Sequence, residues 1–139
     1  MLTLELARKL LSTGLMWTPR PGDRFMVPGG EMAGDLFHIS EMTIEVHSYP
    51  GGRVLGFNGT TEWALDSLEL NDVVWIPRES QLREHLGDRF TSLQRTDAGW
   101  TVTAAVDGVT SQFSDGDVEC AYGYALLATL ETEAGSDPT

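Results

Sequence analysis

"FTSLQRTDAGWTVTAAVDGVTSQFSD", residues 90–115, is the stretch whose reading decides the fold. Its Asp107-Gly108 pair sits between two β-prone runs, the strongest short-range signal for a two-residue type I′ hairpin turn. Closing the chain there opposes Val106 to Val109, Ala104 to Ser111 and Val102 to Phe113. The apolar members then share one face with Trp100, and residues 90–96 supply a third strand to the meander. A sheet that is apolar on one face must be covered. The segment that follows, "GDVECAYGYALLATLE", predicts a covering helix, with Ser114 or Asp115 near its cap and Asp117 and Glu119 in its first turn. Its apolar surface runs from Val118 to Leu130. "TEAGSDPT", residues 132–139, is polar and predicts a frayed tail.

Upstream, "TLELARKLLSTG" predicts a first helix, capped by Thr3 and ended by Gly14, with Leu2, Leu6 and Leu10 on one face. In "DLFHISEMTIEVHSY" the alternation of Phe37 with Ile39, and of Ile44 with Val46, predicts a hairpin centred on Glu41 and Met42. That register sets His38 opposite Glu45, with His47 diagonal to it. "RVLGF" predicts the next strand and "DVVWIP" another, while residues 60–72 satisfy neither the helical nor the strand period. "RESQLREHLG" predicts a second helix stopped by Gly87. The order of elements predicts an α+β fold with a mainly antiparallel sheet of about six to eight strands and three helices packed against it. Without an internal repeat or linker, residues 1–131 are expected to form one domain, followed by the tail.

A chain of 139 residues can bury roughly two-thirds of its unfolded surface, enough for a core without disulfide or metal. The net charge is -12, from 21 acidic and 9 basic residues, and Lys9 is the only lysine. Such a field repels phosphate backbones and anionic lipid, so neither nucleic acid nor membrane is the expected partner. The one cysteine, Cys120, cannot close an intrachain disulfide. No secretory signal or run of about 20 apolar residues is visible, so the expected location is cytoplasmic.

Chemistry-bearing motifs are sparse. In "RVLGFNGTTEWALD", residues 53–66, the glycines Gly56 and Gly59 do not make the spacing of a phosphate-binding loop, and no lysine follows them. The stretch is expected to be a strand with a turn at Asn58-Gly59. Asp115, Asp117 and Glu119 lack the glycine and terminal glutamate of a calcium loop, and acidic residues at a helix start are favoured by the dipole alone. Cys120 has no histidine nearby in sequence and is expected to pack as a small hydrophobe. His38, Glu45 and His47 could hold a divalent metal or orient a general base if the 36–49 hairpin forms; otherwise they lie on a solvated sheet face. Of four tryptophans, Trp75 and Trp100 lie on predicted strands and are expected in the core. Trp17 and Trp63 lie in irregular segments, where an indole either covers the core or anchors a partner.

"LARKLLSTGLMWTPRPGDRF", "EVHSYPGGRVLGFNGTTEWALDS" and "WIPRESQLREHLG" together resemble a family of short actinobacterial proteins of unassigned activity, some of which carry a pilus-assembly name. That name belongs to longer proteins resembling MinD-type ATPases, which need a glycine-rich, lysine-containing nucleotide loop. The loop is missing from this sequence, so the resemblance transfers no functional residue.

The expected function is therefore non-catalytic: a protein-binding or regulatory module that uses its acidic surface to engage a basic partner, as an immunity protein or antitoxin does. Candidate contacts are Trp17, Trp63, Glu41 and Glu45, and no cofactor is expected. The alternative is a metal- or metabolite-binding protein, or an enzyme, built on His38, Glu45 and His47.

Overall fold

The computed structural model describes residues 1–28, 36–39, 44–49, 52–57, 67–69 and 73–135. In chain order the elements are α1 (Leu4–Ser12), β1 (Arg24–Met26), β2 (Leu36–His38), β3 (Ile44–Tyr49), β4 (Gly52–Phe57), β5 (Ser67–Glu69) and β6 (Val74–Trp75). They continue with α2 (Glu79–Leu86), a 3-10 turn (Gly87–Arg89), β7 (Phe90–Thr96), β8 (Gly99–Val106), β9 (Val109–Asp115) and α3 (Val118–Gly135). The architecture is α+β with antiparallel strands and three α-helices, as the order of elements predicts. The strands divide into separate three-stranded sheets instead of one continuous sheet. By its internal contacts the chain forms two compact units, one of Met1–Met16 with Pro77–Thr139 and the other of Trp17–Ile76.

The first unit contains the meander β7-β8-β9, paired as the sequence predicts: Val106 opposes Val109, Ala104 opposes Ser111 and Val102 opposes Phe113. Asp107 and Gly108 have φ of 52° and 77°, both left-handed, which is what a type I′ turn requires. β7 carries a bulge between Phe90 and Ser92. The extra residue switches Phe90 to the face of Val102 and Ala104, where its ring lies 5.6 Å from Tyr122 of α3. On the other face, Thr101 Oγ1 is 2.9 Å from Thr96 Oγ1 and 2.7 Å from Ser114 Oγ, a hydroxyl ladder across all three strands. The short Thr101 and Thr103 are buried even on this outer face, between taller Gln94 and Gln112 on the flanking strands. Trp100 is half-buried, and Arg95 places its guanidinium 5.7 Å from the indole.

α3 lies on this sheet, against β8 and β9, while α1 and α2 pack on α3. Only one of the three predicted helices therefore makes the main helix-to-sheet layer. Leu2, Leu6 and Leu10 are buried, as the first-helix pattern predicts, and Leu2 and Leu6 lie directly over Gly123. A Cβ there would stand 2.7 Å from Leu6 Cδ2 and 2.8 Å from Leu2 Cδ1, so the absent side chain lets the helices approach. Thr3 caps α1, its hydroxyl accepting from Leu6 N at 3.2 Å. α3 is capped by Asp117, not by Ser114 or Asp115: Asp117 Oδ1 accepts from Glu119 N at 2.8 Å and Cys120 N at 3.2 Å. α3 also runs past residue 131, where the tail was expected to begin. Thr132 Oγ1 donates to Ala128 O at 2.9 Å, and Glu133 pairs with Arg89, so the extra turn has partners that its polar composition did not announce.

The second unit holds the sheets β2-β1-β6 and β3-β4-β5. β2 pairs with β1, aligning Phe37 with Phe25, His38 with Arg24 and Leu36 with Met26. β3 pairs with β4, Tyr49 opposing Gly52 across Pro50-Gly51. The hairpin predicted between residues 36–39 and 44–49 is thus replaced by two other pairings. Two features favour them: the Phe25–Phe37 ring contact at 5.5 Å between β1 and β2, and a connection between β3 and β4 of only two residues. Within the ambiguous stretch 60–72, Ser67–Glu69 forms β5, and its other residues lie outside the described ones.

Gly99, with φ of 105°, joins β7 to β8, and a Cβ built on it would meet Asp115 O at 2.7 Å and Gly116 Cα at 2.8 Å. Gly108, also left-handed, has open space around it. Gly99→Ala should therefore cost more stability than Gly108→Ala, whose penalty is confined to the roughly 1–3 kcal/mol of a strained dihedral. Denaturant midpoints of the two variants check this, and equal losses would mean that the strands part without cost at Gly99.

Candidate functional site

Of the residues expected to contact a partner or a metal, Trp17, His38, Glu45 and His47 lie among the described residues. Trp17 is a core residue, only 7% exposed. Its indole stacks on Trp75 with centroids 6.1 Å apart and planes 9° from parallel, and its Nε1 donates to Asp23 Oδ2 at 2.9 Å. The same carboxylate oxygen accepts from Arg20 N at 3.0 Å, and Asp23 itself is 2% exposed. Trp17 thus closes a polar latch over an aromatic cluster and is not available as a surface anchor. His38 is exposed on β2 in register with Arg24, not with Glu45. Glu45 and His47 stand on β3 opposite Gly56 and Val54. Their pairing does not assemble the hairpin face on which a metal site with His38 depended. Glu41 and Trp63 lie outside the described residues. Among the described residues, no three His, Cys, Asp or Glu side chains are placed to hold a metal ion together.

The acidic group at the start of α3 has a structural occupation. Asp115 Oδ2 accepts from Asp117 N at 2.8 Å, and Asp117 pairs with the Met1 amine. Glu119 accepts from Leu2 N at 2.9 Å through Oε1 and from Glu79 N at 3.2 Å through Oε2. One carboxylate thereby ties the starts of α1 and α2 to the first turn of α3. Cys120 is buried beside this group, its Sγ 3.9 Å from Met1 O, and burial pushes its thiol pKa up. A thiol in that environment packs and does not ionise at neutral pH. Tyr122, fully buried, is likewise pushed up by burial, against a smaller opposing effect of Arg83.

The open feature of the first unit lies along β9. This strand is the edge of its sheet, pairing only with β8 among the described strands, and α3 crosses beside it. Between them runs a groove of about 410 Å³, lined by Phe113 and Gln112 of β9 and by Tyr124, Leu127, Ala128 and Glu131 of α3. The four helix residues have i, i+3, i+4 and i+7 spacing, a single stripe of the helix. Tyr124 is 45% exposed, while its neighbours Ala125 and Leu126 are buried. No lysine or arginine lines the groove, Glu131 stands at it, and Asp107 and Asp115 flank β9 in sequence. A second hollow of about 390 Å³ is lined by Arg89, Asp107, Thr129 and Glu133, and there Arg89 is already paired with Glu133.

Sequence reasoning placed Phe113 on the covered face and missed the groove. The usable signal was the stripe Tyr124, Leu127, Ala128 and Glu131, which ends in a charge although residues 120–128 are apolar on every side of the helix. No protein-family model, curated protein or solved structure matches this chain. Among the described residues, no helix is long and apolar enough to cross a membrane.

The ion pair at the start of α3 makes stability depend on pH in a defined way. The hydrogen bond to Asp117 raises the Met1 amine above its ordinary 8.0. Burial acts to raise the Asp117 carboxyl, but the bonds it accepts from that amine and from the Cys120 and Glu119 amides outweigh this, so its pKa lies below the ordinary 3.8. The contribution is complete between those two ordinary values. It is lost as pH falls through the lowered carboxyl pKa and again as pH rises through the raised amine pKa. Asp117→Asn keeps a capping oxygen and removes the charge. The difference in unfolding free energy between wild type and Asp117→Asn, from denaturant titrations, should be flat from about pH 4 to pH 8 and close on both sides, with a plateau under about 1 kcal/mol for so exposed a pair.

Proposed function

We propose that this chain is a non-catalytic protein-binding module that captures a basic partner on the groove between β9 and α3. The observation that carries this is the half-exposed Tyr124 beside Phe113 and Leu127, in a groove whose only charged lining residue is Glu131. An aromatic with an apolar body and a polar tip, set in a shallow apolar channel with a polar rim, is the composition of an interface anchor. The net charge of -12 adds long-range attraction for a basic surface, which raises the association rate and makes binding sensitive to salt. Blocking a basic toxin or restraining a basic regulator are both functions of this type.

Tagged wild-type protein, Tyr124→Ser and Glu131→Lys should be compared as baits in lysate of the source cell. Both positions are partly or fully exposed, so the variants should melt within about 1 kcal/mol of wild type. A basic protein retained by wild type, released by moderate salt and lost from both variants is the expected result. A partner retained equally by all three baits would place the interface elsewhere on the chain.

A further inference from the structure

Building on that proposed binding groove, we infer that the partner is held as an added β-strand: an extended segment, rich in Lys or Arg, that pairs with the edge of β9 left unpaired by the described strands. Val106 and Val109 flank the two-residue turn, so they are the hydrogen-bonded pair that closes the β8–β9 hairpin. Alternation then turns the backbone groups of Ser111 and Phe113 toward β8, and those of Thr110, Gln112 and Ser114 outward. Each outward residue offers an N–H and a C=O along the sheet edge.

The two edges of this sheet differ in how they are guarded. β7 is broken by the bulge between Phe90 and Ser92 and carries Arg95, two devices that discourage strand pairing. β9 has seven residues, an unbroken register from Val109 to Asp115, no proline and no basic side chain. The groove lies along this edge and is lined by Gln112, Phe113 and Ser114 of the strand. In an added strand every second side chain would enter that groove, against Phe113, Tyr124 and Leu127. The alternate side chains would lie over the hydroxyl face of Thr101 and Ser114, which has no charge to repel them.

Charge selects the occupant. Asp107 and Asp115 bracket β9 and Glu131 lines the groove. A second copy of this chain would bring the same acidic groups face to face, and the whole chain carries -12. A basic, alternating segment satisfies the backbone and the groove, and its positive charge suits a chain of net charge -12.

The probe is a seven-residue acetylated and amidated peptide of alternating valine and lysine, added to the full-length protein. Its controls are a glutamate-for-lysine analogue and a version N-methylated at every residue, which keeps charge and apolarity but cannot donate to a ladder. Expected is new protection of the Thr110, Gln112 and Ser114 amides from hydrogen exchange with the lysine peptide, and none with either control. Gln112→Pro, which removes an outward N–H and no bond to β8, should weaken binding by at least about tenfold while the protein stays folded. Equal binding of the N-methylated peptide would overturn strand addition, even should Gln112→Pro fail to fold. Sedimentation as a dimer without peptide, with those amides already protected, would overturn the basic occupant in favour of a second copy. A lysate partner lost from Tyr124→Ser, together with unprotected β9 amides, would reject strand addition and leave the binding groove standing. Loss of both would reject the two together.

Discussion

From Cys120 to Ala128, α3 is apolar around its circumference, and such a helix is stable only when its sides are covered. Most of the first unit follows from that demand. β8 and β9 cover one side and α1 and α2 another, with Ala121, Tyr122, Ala125 and Leu126 buried among them. Gly123 sets how closely α1 can approach, because Leu2 and Leu6 occupy the space a side chain would need. The bulge in β7 serves the same layer by bringing Phe90 to Tyr122. What the surrounding elements do not cover is the stripe through Tyr124 and Glu131, and the groove lies there.

Polar ties hold this arrangement in register where hydrophobic packing is indifferent to small slides. Burial is roughly proportional to area and has no direction, whereas a carboxylate with two donors does. Glu119 is the main such tie, satisfying one amide at the start of α1 and another at the start of α2. Asp117 adds the cap of α3 and the pair with Met1. Acidic residues that resemble a ligand set in sequence are in fact consumed by the N–H groups that helix starts leave unpaired.

The β8–β9 hairpin was legible to the residue because its register is local: a turn of defined type and a period of two leave one solution, whereas the bulge in β7 had no such signal. α1 and α2 were legible from caps, stops and apolar spacing for the same reason. The pairing of β2 was not, because its partner β1 lies across the intervening chain and is selected by Phe25 against Phe37, a contact no local pattern announces. The assumed hairpin was also what joined His38 to Glu45 and His47, and β2 and β3 pair with other strands. Trp17 looked free because it follows a helix and precedes prolines, yet Asp23 six residues later supplies its indole with an acceptor in the core.

The sequence by itself determined the α+β class, the β8–β9 register, the caps of α1 and the acidity of the surface, all of which depend on near neighbours or on composition. Tertiary structure alone decided which edge strand stays open, which side of α3 stays uncovered, and which carboxylates are spent on helix starts. Those outcomes depend on groups brought together from distant parts of the chain, Glu119 with Leu2 and Glu79 among them, and a local pattern carries no record of such meetings.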